Sequence, residues 1–308
     1  MRTAEYCCKF PYIHHGGPLS EGKNTDTGPK AAIIACSNGL PESRREQMDE
    51  LAKLLKEEGL EPVFSDCLYR RNGTAFSGTP KERAESLMNF FRDPEVRFIF
   101  DVSGGDAANG ILPFLNYQEI RESRAVFWGY SDLTTVLNAI YAKTGKESVL
   151  YQARNLTHEE GSWQREAFRK FMAGEKTELF NFSYEFIQGN RMEGRILGGN
   201  MRCLLKLSGT QYWPDMKGKI LLLEASGGLA PQMASCLAQL RQMGVFETAG
   251  GILLGTFLRM EEEGECPGIE ALVKEYAGPD IPIARTVQIG HRSDSRGAVI
   301  GSYGVFES

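Results

Sequence analysis

Residues 97–105 read RFIFDVSGG, and residues 125–132 read AVFWGYSD. Each segment is a short apolar run that ends beside glycine, which is typical of a buried strand followed by a loop. A third run, AAIIAC at residues 31–36, is followed by the loop sequence SNG. Helical patterns separate these runs. Because apolar strands that alternate with helices form parallel sheets covered on both faces, we predict an α/β fold.

The helix predicted to begin at residue 80 carries three start signals. Thr79 can cap the helix, Pro80 suits its first turn, and Glu82 can complete a capping box with Thr79. Further helices are predicted over about 43–58 and 132–143. These signals strengthen the assignment of alternating strands and helices.

The two halves of the chain differ in pattern. Residues 1–155 are predicted to form a doubly wound α/β domain, and residues 156–190 a polar linker with one helix near 164–172. Residues 191–308 are predicted to form a second domain. It repeats some strand–helix alternation and ends in short strands and glycine-rich turns.

The composition excludes several classes of protein. The 308 residues carry a net charge of −5, with 42% hydrophobic and 24% charged residues, which is a globular mixture. No basic run is present, so we expect no nucleic-acid partner. No apolar stretch approaches the roughly 20 residues that cross a bilayer, and the first residues lack the apolar region of a signal peptide. Seven cysteines without a C-x-x-C pair agree with reduced thiols, so we expect a cytoplasmic protein with no membrane contact.

Histidine is scarce, which narrows the choice of a catalytic base. The four histidines are His14, His15, His158 and His291. His291 lies in the sequence IGHRSD, a glycine-flanked loop after a predicted strand. Its position makes His291 the preferred candidate, with a surface or capping role as the alternative.

Ser131 is the candidate nucleophile. It follows a predicted strand and precedes a predicted helix, and such a turn can hold a serine oxygen in a cleft at the positive end of the helix. An ordinary helix cap is the alternative. The G-x-S-x-G motif is not met, because Leu133 stands in place of its last glycine.

The turn Ser103-Gly104-Gly105-Asp106 is a candidate oxyanion site. Glycine lets a backbone N–H approach a developing negative charge closely. Phosphate binding is the alternative, but neither a P-loop nor G-x-G-x-x-G is present, so we expect no nucleotide cofactor.

The acid that orients the histidine has two candidates. Glu224 ends an almost wholly apolar strand, where an unpaired charge would be costly, and Asp294 lies near His291. A structural salt bridge is the alternative for Glu224, and a turn for Asp294. No H-E-x-x-H motif or Cys/His cluster is present, so we expect no metal site.

Five motifs occur in order along the chain: VSGG at 102–105, GYSDLT at 129–134, GGN at 198–200, LE at 223–224 and GH at 290–291. This ordered set resembles the LD-carboxypeptidases, or muramoyltetrapeptide carboxypeptidases, a serine peptidase family that includes the microcin C immunity peptidases. The resemblance extends from about residue 31 to the last residue. No single motif is specific, and the ordered set carries the resemblance.

The resemblance implies a role for each matching residue. Ser131 corresponds to the family's nucleophile, Glu224 to its acid and His291 to its base. The backbone N–H groups of Gly105 and Asp132 correspond to its oxyanion hole.

The resemblance also implies the architecture: a Rossmann-like N-terminal domain and a C-terminal domain of small β-barrel or swivelling β/α character. It implies a homodimer acting on a small peptide. Asn200 and Arg202 are candidate contacts for the substrate's terminal carboxylate, with a structural role of the GGN loop as the alternative. The sequence departs from many members in the residues that follow Glu224 and at Arg292, which places the substrate pocket in question.

The resemblance therefore favours a serine carboxypeptidase that releases D-Ala from a murein tetrapeptide in cell-wall recycling. A peptidyl-nucleotide amide of the microcin C type is the alternative substrate. Three other hypotheses remain open: a two-lobed binding protein without catalysis, a nucleotide-dependent α/β enzyme, and an α/β-hydrolase.

Overall fold

The computed structural model describes residues 2–3, 28–71, 73–158, 161–175 and 177–308. His14 and His15 lie outside the described residues. The described strands are β1 (Arg2–Thr3), β2 (Lys30–Ile34), β3 (Glu61–Phe64), β4 (Val96–Asp101), β5 (Val126–Gly129), β6 (Ser148–Leu150), β7 (Ser183–Gln188), β8 (Arg191–Asn200), β9 (Ile220–Ala225), β10 (Gly251–Phe257), β11 (Ile283–Arg285), β12 (Ala298–Ile300) and β13 (Tyr303–Glu307). The described α-helices are α1 (Arg45–Glu57), α2 (Pro80–Arg92), α3 (Tyr117–Glu122), α4 (Thr134–Thr144), α5 (Ser162–Met172), α6 (Met201–Leu205), α7 (Ala230–Gln242), α8 (Val245–Thr248), α9 (Leu258–Glu262) and α10 (Ile269–Ala277).

The first sheet has six strands in the order β12-β6-β5-β4-β2-β3. All neighbouring pairs are parallel except β12 with β6. Side chains of β2 alternate between two cores: Ala31 and Ile33 point to one, Ala32 and Ile34 to the other. Both faces of the sheet are therefore covered, which explains why its strands are continuously apolar.

The second sheet has seven strands in the order β1-β7-β11-β10-β9-β8-β13. Its four central strands, β11, β10, β9 and β8, are parallel, and the outer pairs are antiparallel. The predicted α/β fold class is confirmed.

Helix α4 packs closely on strand β8 of the second sheet. The Asn138 side chain accepts from the N–H of Gly198 and donates to its carbonyl, both at 2.9 Å. A Cβ at Gly199 would lie 2.7 Å from the Thr134 Oγ1 atom. The two glycines have φ angles of 116° and 130°. Because these two positions carry no side chain, α4, which follows β5 of the first sheet, can pack directly on β8 of the second sheet.

Two short strands belong to a different sheet from the one expected from the predicted divisions of the chain. Strand β7 lies within residues 156–190 and belongs to the second sheet, while β12 lies within residues 191–308 and pairs with β6 of the first sheet. The capping box at α2 is present as predicted, because Thr79 and Glu82 each accept the other's backbone N–H. In the described part of the chain, no helix is long and apolar enough to cross a bilayer.

Candidate active site

Ser131 occupies a strained turn between β5 and α4. Its φ of +55° makes it the one non-glycine residue of the described chain with positive φ. Such a conformation costs about 1–3 kcal/mol and is found most often at functional sites. A Cβ at Gly129 would lie 2.6 Å from the Leu133 Cβ atom, so the turn folds back onto itself. Leu133, which breaks the G-x-S-x-G motif, thus packs inside this turn.

Glu224 and His291 form a hydrogen-bonded pair. Glu224 lies in β9 with no exposed surface, and its Oε2 atom is 2.7 Å from the His291 Nδ1 atom. An imidazole that donates from Nδ1 to a carboxylate presents Nε2 as a proton acceptor. Among the described residues, His291 Nε2 has no hydrogen-bond partner. This arrangement suits a histidine that takes a proton from a nucleophile.

The loop that carries His291 lies directly against strand β10. Gly290 has a φ of +155°, and a Cβ there would lie 1.6 Å from the Thr256 Oγ1 atom. Only glycine permits this approach. Gly290 therefore fixes how deeply His291 enters the site.

Tyr130 also contacts the pair, and sequence reasoning missed it. Its hydroxyl lies 3.5 Å from Glu224 Oε2 and 3.4 Å from His291 Nδ1, and its ring lies 4.7 Å from the imidazole. Burial, reinforced by the neighbouring Glu224, raises the pKa of Tyr130 well above its ordinary value. Tyr130 is therefore a neutral donor that restrains the carboxylate. Its place next to Ser131, at a strand end, was the available signal.

The glycine turn after β4 is held by buried polar groups. The Asp101 carboxylate accepts from the N–H of Ser103 at 2.9 Å and from that of Cys36 at 2.8 Å. Gly105 has a φ of +125°, and a Cβ there would lie 2.3 Å from the Asn38 side chain. Within the described chain, the N–H of Gly105 has no hydrogen-bond acceptor. The turn is thus rigid and keeps one donor available.

Asp132 ties three parts of the molecule together. Its fully buried carboxylate accepts from the Ser37 hydroxyl at 2.6 Å and from the Ala108 N–H at 2.8 Å. It also accepts from the ammonium of Lys206, which follows α6. The side chain therefore anchors the Ser131 turn, while the Asp132 N–H has no acceptor among the described residues.

Replacing Lys206 by methionine should lower the free energy of unfolding by about 2 kcal/mol, because it leaves the buried Asp132 carboxylate without its cation. Urea denaturation would measure the change. The exposed Lys217 has no ion-pair partner among the described residues, and its replacement by methionine should change the free energy of unfolding by about 0.5 kcal/mol or less. Equal effects of the two variants would contradict this role of Lys206.

The two predicted carboxylate contacts have other partners. Asn200 caps α6, accepting from the N–H of Cys203 at 3.2 Å. Arg202 forms an ion pair with Asp106, next to the glycine turn. Neither residue lines the cavity that contains Ser131. Their contact with a substrate stays a prediction.

The cavity at Ser131 and His291 has a volume of about 310 Å³. No carboxylate lines it within the described chain. Its polar and charged side chains include Arg44, Gln47, Gln152, Arg154, His158 and Arg292. Among the described residues, no cluster of histidine, cysteine or carboxylate side chains could hold a metal ion. The cavity therefore combines the serine and histidine with a cationic wall.

Two family descriptions match this chain. The LD-carboxypeptidase N-terminal domain matches residues 31–151, and the LD-carboxypeptidase C-terminal domain matches residues 193–304. The chain belongs to the LD-carboxypeptidase family. The resemblance inferred from the five motifs is confirmed, and the general activity of the family is that of a carboxypeptidase.

Individual members of the LD-carboxypeptidase family are similar over most of the chain. The "Probable murein peptide carboxypeptidase" of Bacillus subtilis is 28% identical, covering 91% of this chain and 89% of the relative. The "Microcin C7 self-immunity protein MccF" of Escherichia coli is 27% identical over 70% of this chain and 72% of the relative. A solved structure of MccF in complex with glutamyl sulfamoyl guanosine has a TM-score of 0.78 and 21% identity, and covers 92% of this chain and 97% of that one.

Proposed function

We propose that this member of the LD-carboxypeptidase family is a serine hydrolase with Ser131 as nucleophile, His291 as base and Glu224 as the acid that orients it. One observation carries the proposal. The buried Glu224 carboxylate engages Nδ1 of His291, and His291 lines the same cavity as the strained Ser131.

The proposed reaction has two steps. The Ser131 oxygen attacks the scissile carbonyl while its proton passes to His291 Nε2, which then protonates the leaving amine. Water hydrolyses the resulting acyl-enzyme by the same proton route. Glu224 keeps Nδ1 protonated and stabilises the imidazolium.

The N–H groups of Gly105 and Asp132 are proposed to bind the oxyanion. Both belong to turns fixed by buried side chains, so the donors need little reorganisation during the reaction. Donors of this kind each contribute about 100- to 1,000-fold in rate.

We propose that the substrate is a murein tetrapeptide and the product its terminal D-Ala. The support is the family and the B. subtilis relative, whose printed name is a murein peptide carboxypeptidase. Mass spectrometry of the tetrapeptide incubated with the protein tests this. Loss of D-Ala is expected, and an unchanged peptide at high enzyme concentration would contradict it.

A peptidyl-nucleotide amide is the second candidate substrate. The MccF structure holds glutamyl sulfamoyl guanosine, and the cationic cavity wall of this chain suits an anionic compound. Parallel incubation with such an amide separates the two candidates. Faster cleavage of the peptidyl-nucleotide amide than of the murein tetrapeptide would favour a role in toxin immunity.

Replacing Tyr130 by phenylalanine should lower kcat about tenfold without unfolding the protein, because one hydrogen bond to the Glu224 carboxylate is worth about 1.5 kcal/mol. Steady-state kinetics would measure it. Tyr117, whose hydroxyl donates to the Leu112 carbonyl away from the cavity, offers a matched Tyr→Phe control. An equal loss of kcat in both variants would contradict a specific contribution of the Tyr130 hydroxyl to catalysis.

A further inference from the structure

Arg154 lines the cavity that contains Ser131, and its guanidinium has no partner among the residues that the structure describes. Among the described residues, no hydrogen bond or ion pair involves its guanidinium, and its buried Nε atom is unsatisfied. A buried polar group normally has a partner, since leaving it unpaired costs about 1–3 kcal/mol. Because Arg154 lines the same cavity as the candidate nucleophile Ser131, its guanidinium is placed to bind an anionic group of a ligand.

The charged groups near Arg154 do not supply the partner that its guanidinium lacks. Arg44 lines the same cavity, and its like charge adds to burial in lowering the pKa of Arg154. Asp101 is the acid that acts on Arg154, but it forms no ion pair with it. The Asp101 oxygens are taken by Ser103 and by the N–H of Cys36. Arg44 and Arg154 thus line the cavity together, and no carboxylate of the described residues lines it with them.

The backbone at Arg154 is firmly held. It lies in a single helical turn, residues 153–157, directly after β6. Its N–H donates to the Gln152 side chain at 3.3 Å, and its carbonyl accepts from the Thr157 hydroxyl at 2.7 Å. Gln47 in turn donates to Thr157 at 2.8 Å. These hydrogen bonds hold the backbone of Arg154 in place at the carboxyl ends of the parallel strands. Ligands of α/β sheets bind at this edge.

We infer that Arg154 is the specificity residue that binds the substrate's terminal carboxylate, with Arg44 adding charge beside it. This inference rests on the proposed function. In a carboxypeptidase substrate, the terminal carboxylate is only one residue from the scissile carbonyl. Its receptor must therefore share the small cavity of Ser131. The planar guanidinium matches a carboxylate with two parallel hydrogen bonds.

The test compares kcat/KM for a murein tetrapeptide with that for its C-terminal amide. The wild type should prefer the acid by about 100-fold, the range for losing one partner of a hydrogen-bonded charge pair. Arg154→Gln should reduce this preference to within about threefold, and Arg154→Lys should retain part of it. A preference that survives Arg154→Gln overturns the inference while leaving the hydrolase intact.

Two arginine variants serve as matched controls. Arg292 lines the same cavity but is paired with Glu261 at 3.4 Å, so Arg292→Gln removes the same charge and should keep the acid preference. Arg202→Gln tests the contact predicted from the sequence. Loss of the preference in either variant, rather than in Arg154→Gln, overturns the assignment.

Binding to the Ser131→Ala variant separates this inference from the proposed reaction. Calorimetry should show the acid binding more tightly than the amide, and Arg154→Gln in the same background should remove the difference, even if the wild type cleaves neither peptide. Adenosine monophosphate is the third ligand. If its binding depends on Arg154 and that of the peptide acid does not, the group bound is a phosphate and the carboxylate assignment is overturned.

Discussion

Replacement of Ser131 by alanine is expected to lower kcat by about a million-fold, leaving only the contribution of substrate binding and the oxyanion donors. The reason is that the alanine methyl group cannot form the acyl-enzyme. The fold should persist, because alanine tolerates the φ of +55° as well as serine does. Chromatographic detection of released D-Ala would measure the effect.

Two controls make the Ser131 result decisive. Thermal unfolding should give a similar midpoint for the variant and the wild type, and the variant should still bind the intact peptide. A turnover rate comparable to that of the wild type would exclude Ser131 as the nucleophile. It would favour a two-lobed binding protein or a different catalytic group.

Replacement of Glu224 by glutamine should lower kcat by about ten-thousand-fold. The amide occupies the same volume but carries no charge, and its N–H group favours the wrong tautomer of His291. The 2.7 Å contact between Glu224 and His291 is the basis of this expectation. Single-turnover kinetics with the peptide would measure it.

Asp294 provides the matched control for Glu224. It was the other candidate acid in the sequence, and its exposed side chain makes no contact with His291 in the structure. Asp294→Asn should therefore act at a rate close to that of the wild type. Equal losses in the Glu224 and Asp294 variants would contradict the orienting role of Glu224.

Local sequence signals predicted much of the first sheet. The three apolar runs that were predicted as strands overlap β2, β4 and β5, and the capping box at Thr79 and Glu82 is present. These features depend on residues close in the sequence. Strand β7 was missed because its side chains are mostly half-buried at the outer part of a sheet, so its apolar pattern is weak.

The candidate site was predictable one residue at a time but not as an assembly. Ser131 follows closely on the end of β5, and His291 follows Gly290 in the loop after β11. Both signals are visible in the sequence. Their common cavity, and the pairing of His291 with Glu224 across 67 positions, depend on how two sheets pack. That Arg154 has no partner among the described residues likewise depends on the folded structure around it, which no local sequence pattern encodes.

Strand β12 has a consequence for how the protein is made on the ribosome. It covers the edge of β6, although residues 298–300 are synthesised long after Leu150. The nascent first sheet therefore emerges with an open edge that can pair with other chains. This edge is covered only after the loop that carries His291 has been synthesised. The nascent chain thus gains protection from aggregation and its complete candidate triad at nearly the same point of translation.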